Sequence, residues 1–188
     1  MAQNLLRDIA TNPDIHENRF HMLWNSILTF HFPVSFEYGV APQTSITGTE
    51  TKPEFLVVKV AREFESIVLV VELKKPSEDT DAGHENVKRE LVDYIEERFG
   101  ETQFTTIYAI AGIGLSWSAF RMANYGPPEP ELVYGWMSNV TAVKSFELMN
   151  ELALMIDQMT GTTRDFQSRR VVLCINAIEF FYSGYVGS

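Results

Sequence analysis

The chain carries one cysteine, Cys174, in 188 residues. That excludes an internal disulfide and any cysteine-rich zinc site, and it fits a reducing compartment. Long apolar runs are also missing: no stretch reaches the roughly 18 apolar residues that a membrane helix requires. At the start, Arg7 and Asp8 split the few apolar residues, so the pattern of a signal peptide is not there. The expected location is intracellular, cytoplasmic or nuclear. Basic residues are a minority, 15 against 25 acidic ones, for a net charge of −10. A broadly positive nucleic-acid-binding surface is thereby excluded, because a phosphate backbone rewards positive fields. A local positive groove stays open, and carboxylates gathered around a metal ion are neutralised by it.

Several familiar chemistries are absent too. The chain has no phosphate-loop sequence and no GxSxG elbow. Gly112-Ile113-Gly114 is two-thirds of a dinucleotide fingerprint, but Trp117 stands where the last glycine belongs, and the segment reads as a hairpin turn. His16 and His21 have one residue too many between them for a zinc-protease helix; at about 100° per residue they diverge. Cys174 sits in an apolar run and reads as a packed thiol.

What remains is ample apolar material, 45% of residues with 12% aromatic, enough for a sizeable core. One domain over residues 1–188 is expected, with a core at 12–122, a loop and covering helix at 123–161, and a tail at 162–188. Asn12-Pro13 is a helix entry, and Phe20, Leu23, Trp24, Ile27 and Leu28 recur at helical spacing as far as Phe32-Pro33. Residues 34–40 read as a short strand, 41–52 as its loop and 55–60 as a second strand. After a charged turn at 62–65, Ile67-Val68-Leu69-Val70-Val71 is five apolar residues, four of them β-branched. Such a run makes a central strand buried on both faces.

Lys75-Pro76 stops that strand, and a polar loop follows. Val87, Leu91, Tyr94, Ile95 and Arg98 then mark one side of a helix ending at Gly100. Residues 105–111 and 115–122 read as two more strands. Gly126, Pro127, Pro128 and Pro130 make 124–131 a loop leaving the sheet. Phe146, Met149, Leu152, Met155, Ile156 and Met159 form the apolar side of a covering helix up to Gly161. The tail carries Arg164, Arg169 and Arg170 before an aromatic stretch compatible with a helix, an edge strand or an oligomer contact.

The chemistry concentrates at Glu72-Leu73-Lys74, directly after the apolar run. Strand side chains alternate, so Glu72 and Lys74 share a face. A carboxylate at the end of a buried strand costs several kcal/mol unless a cation meets it, either a metal or the neighbouring amine. Pro53-Glu54 opens the preceding strand, where proline is tolerated. If the two strands are antiparallel neighbours, their far ends bring Glu54 beside Glu72 and Lys74. Two carboxylates and a lysine suit a hard cation such as Mg²⁺, which activates water while the ammonium steadies charge on phosphoryl oxygens.

The pattern of Pro53-Glu54, seventeen residues, then Glu72-Leu73-Lys74, within an αβββαβ order, resembles the PD-(D/E)xK superfamily of restriction-endonuclease-like proteins. The resemblance covers about His16 to Arg121. It implies an α/β fold with a central mixed sheet flanked by helices, here extended by a C-terminal helix. It also implies a nuclease dependent on Mg²⁺ or Mn²⁺, with Glu54, Glu72 and Lys74 at the catalytic centre and Glu54 and Glu72 as metal ligands. An acid from the first helix often joins the ligands, and Glu17 fits. A polar residue opening the following helix often supports the site; Glu90, ahead of Leu91 and Tyr94, stands there in place of the usual glutamine, and His84 is within reach of a bound phosphate. The family normally has aspartate where this chain has Glu54. Nucleic acid, DNA or RNA, is the expected substrate; the oligomeric state stays open, with a homodimer possible and the tail as its contact. The alternative is an inactive nuclease-fold module that binds a partner protein, favoured by the acidic surface, by Glu54 and by the aromatic tail.

Overall fold

A computed structural model describes residues 12, 17–42, 52–61, 64–126 and 129–164. Its elements run α1 (Glu17–His31), β1 (Tyr38–Pro42), β2 (Phe55–Ala61), β3 (Phe64–Lys74), α2 (Asp81–Arg98), β4 (Thr106–Ile113), β5 (Ser116–Ala123), β6 (Glu131–Met137) and α3 (Val143–Thr160). The six strands form one sheet in sequential order β1 to β6. Only β3 and β4 are parallel, with α2 as the connection between them; the other pairs are antiparallel, so the sheet is mixed.

Alternation along β3 divides the core in two. Leu69, Val71 and Leu73 pack with Val57, Ile110 and Trp117 beneath α1 and α3, where Trp24, Leu28, Leu152 and Ile156 are fully or almost fully buried. Val70 faces the other way, with Leu56, Ile107, Ala109 and Ala111 against Val87, Leu91 and Ile95 of α2. β3 is buried on both faces from Ser66 to Leu73, as the unbroken apolar run implied. Gly112 faces Leu73 across the β3–β4 pair. A Cβ there would lie 2.6 Å from a Leu73 methyl and 3.1 Å from the Trp24 ring, so a larger residue would have to push Leu73 and the α1 tryptophan aside.

A buried polar cluster ties the far end of α1 to β1 and α3. Arg164 donates to the His31 carbonyl from Nη1 at 2.8 Å and to Asp157 Oδ1 from Nη2 at 2.7 Å. The Tyr38 hydroxyl donates to the same Asp157 oxygen at 2.9 Å.

The structure corrects the sequence reading in three places. Residues 34–40 are not one strand. Val34–Phe36 is a short 3₁₀ turn, Glu37 takes a left-handed conformation with φ of 62°, and β1 begins only at Tyr38. The hairpin turn lies at Gly114-Leu115, while Gly112 and Ile113 belong to β4. The third correction is β6: the chain does not leave the sheet after Ala123, and Glu131–Met137 pairs with β5. Pro13 of the helix entry, residues 43–51 and 62–63, Pro127 and Pro128, and all of the tail beyond Arg164 lie outside the described residues. Within the described residues, no helix is long and apolar enough to cross a membrane.

Candidate functional site

The β2–β3 register pairs Phe55 with Val71, which sets Glu54, one residue before β2, opposite Glu72 at the end of β3. The antiparallel ladder therefore makes the juxtaposition that the sequence made conditional on it. Glu72 and Lys74 point to the α2 side of the sheet, and Lys74 Nζ donates to Glu72 Oε1 at 2.9 Å. From α2, Glu90 Oε2 accepts from the same ammonium at 2.6 Å.

α2 presents Glu90 because its start is firmly held. Thr80 caps it, its hydroxyl oxygen accepting from the Gly83 amide at 3.1 Å. Four residues beyond Glu90, Tyr94 lies on the same helix face and is nearly buried. From α1, His21 Nε2 pairs with Glu54 Oε2, and its ring meets Phe55 edge-on with centroids 5.5 Å apart.

Glu72 is the electrostatic centre of the group. It is 4% exposed, and its Oε2 has no hydrogen-bond partner among the described residues. Burial pushes its carboxyl up to about 7 against the pull of Lys74, and the nearby Glu90 and Glu54 charges push the same way. Burial alone would lower Lys74, but its hydrogen bonds to Glu90 and Glu72 and their charges outweigh that and hold the amine above its ordinary range. Burial, then the Glu72 and Glu90 charges, push the Tyr94 phenol up to about 12, which keeps it a protonated donor. A buried carboxylate oxygen with no donor is an unusual expense, and a cation would relieve it. Among the described residues no three His, Cys, Asp or Glu side chains are grouped to hold a metal ion. Two carboxylates still fit Mg²⁺, which commonly takes one or two from the protein and fills its other positions with water and phosphate oxygens.

Glu72, Lys74 and Glu90 are joined by hydrogen bonds, with Glu54 across the β2–β3 register from Glu72. Glu17 is the first residue of α1, and its side chain lies outside the described part of the structure. His84 is elsewhere. Its Nε2 pairs with Asp79 Oδ1 at 2.7 Å, and its ring stacks on Trp136 with centroids 3.8 Å apart. Asp79 in turn accepts from the Ser116 hydroxyl at 2.7 Å. Those partners tie His84 to residues of β5 and β6. The sequence reading missed His21 as part of the site. The available signal was its place on the inward stripe of α1, one residue after the buried Phe20 and three before the buried Trp24.

No family model matches the chain, and no curated protein matches it. Among solved structures, the type IIG restriction endonuclease BpuSI is similar at 15% identity and a TM-score of 0.45, covering 88% of this chain. The likeness takes in 20% of that chain, so this protein spans about a fifth of its length. A superposition this loose carries nothing about the chemistry here.

Proposed function

We propose that the group around Glu72 is a Mg²⁺-dependent phosphodiesterase centre of the PD-(D/E)xK type, acting on nucleic acid. The observation that carries this reading is the buried, unpartnered Glu72 Oε2, with Lys74 bonded to the other oxygen of that carboxylate and Glu54 opposite, just ahead of the neighbouring strand. Glu54 and Glu72 would hold the metal, which when bound supplies a lowered water pKa and charge compensation at a phosphoryl oxygen. Lys74, kept charged by two carboxylates, supplies a fixed ammonium for the negative charge that grows on phosphate in the transition state. Glu90 orients that ammonium from α2. Tyr94 offers a phenol that stays protonated beside it. The α1 and α2 walls and the strand ends keep the carboxylates partly dry, which strengthens each of these interactions.

The test is incubation of purified protein with linear DNA, circular DNA and RNA in Mg²⁺ or Mn²⁺, beside Glu72→Ala and Lys74→Ala. Cleavage by the wild type and a loss of at least about 100-fold in each variant are expected, in line with the removal of a single charge-stabilising group. Cleavage that persists undiminished in both variants would sink the assignment. The observation favouring a second reading, an inactive module that binds a protein, is that Lys74 is already bonded to both Glu72 and Glu90. Calorimetric titration with Mn²⁺ bears on the choice: no uptake at millimolar concentration favours the inert module and counts against catalysis.

A further inference from the structure

We infer that His21 is the positioning residue for Glu54, and that its pairing lets a glutamate stand where the resemblance leads one to expect aspartate. This rests on the reading of Glu54 as a metal ligand. Glutamate carries one more methylene and one more rotatable bond than aspartate, so its carboxylate reaches further and loses more rotamer freedom when it is held in one place. An unsupported Glu54 would leave the site half-assembled. The structure supplies the support from a different element: His21 Nε2 on α1 meets Glu54 Oε2, with the two side chains 21% and 13% exposed. The imidazole is itself set by its edge-on contact with Phe55, the residue after Glu54 and the first of β2. Helix α1, strand β2 and the carboxylate are thus locked by one ring. The approach is an ion-pair contact: Nε2 faces the carboxylate oxygen but has no aligned hydrogen-bond partner among the described residues. Groups that orient a metal ligand typically contribute 10- to 100-fold to metal affinity.

Three substitutions separate orientation from packing. In glutamine the side-chain amide nitrogen lies as many bonds from Cβ as His21 Nε2 does, so His21→Gln keeps an N–H at the same reach of the carboxylate. His21→Asn falls short of Glu54, and His21→Phe keeps the edge-on ring but has no donor. Two readouts apply. One is the Mn²⁺ dissociation constant by calorimetry, and the other is the ¹³C carboxylate shift of Glu54 in the metal-free protein. We expect His21→Asn and His21→Phe to bind Mn²⁺ about tenfold more weakly and to move the Glu54 shift. His21→Gln should stay within about threefold of wild type with the shift retained; these magnitudes reflect the usual weight of ligand-orienting groups. Wild-type affinity in His21→Phe, or recovery by Phe and not by Gln, overturns the inference and leaves a packing role. Absence of Mn²⁺ uptake by the wild type overturns the metal reading instead. The Glu54 shift then decides the pairing by itself, and a shift unmoved in His21→Phe refutes it.

Discussion

Glu72 sets a pH dependence that can be worked out in sign. In the unfolded chain its carboxyl titrates near 4.5, and in the fold near 7. Below the lower value it is protonated in both states and contributes no difference. Between the two the folded state binds more protons, so stability falls as pH rises, and above about 7 the whole cost of about 3 kcal/mol is present. Glu72→Gln removes the titration. Its melting temperature relative to wild type should therefore climb from pH 5 to pH 8, and thermal melts at the two pH values check it. A difference that stays constant or reverses would mean that Glu72 is ionised throughout. A divalent cation that meets the ionised carboxylate should offset the same cost, so Mn²⁺ should raise the wild-type melting temperature more at pH 8 than at pH 5, and should do so little in Glu72→Gln.

At the scale of elements, α2 decides whether Glu90 and Tyr94 reach the site, and its first turn is unusually tight. A Cβ on Gly83 would lie 1.9 Å from the Glu78 carbonyl oxygen, a backbone atom that cannot rotate away. Gly83→Ala should gain up to about 1 kcal/mol of helix propensity and lose more to that clash, where overpacking costs about 1–3 kcal/mol. The net expectation is destabilisation, read as a lower urea midpoint at unchanged slope, together with weaker Mn²⁺ binding as Glu90 is displaced. The elements the sequence showed clearly, β3 and α2, carry strong one-sided or unbroken apolar patterns. β6 was hidden for a physical reason. It is an edge strand with a half-exposed pattern and Gly135 in its middle, so neither alternation nor a continuous run marks it, and its strand character comes from pairing with β5.

Across the whole molecule, the Asp157–Arg164 pair joins the segment after α3 to the end of α1, with 3% and 6% exposure. Removing one partner strands the other's charge in the interior. Asp157→Ala should cost about 3–5 kcal/mol, while Asp157→Leu with Arg164→Met should cost clearly less, and equilibrium urea unfolding distinguishes them. Nothing in the sequence joined Arg164 to Asp157, His31 and Tyr38, because the partners lie up to 133 residues apart. The sequence by itself determined the inner strand, the shared face of Glu72 and Lys74 and the helix that carries Glu90, since these arise from period-2 and period-3.6 patterns within one segment. Only the tertiary structure decided that Glu54 stands opposite Glu72, that His21 reaches it and that His84 turns to Trp136. Those depend on register and on how helices lie across the sheet, which are set by contacts between segments that no local pattern encodes.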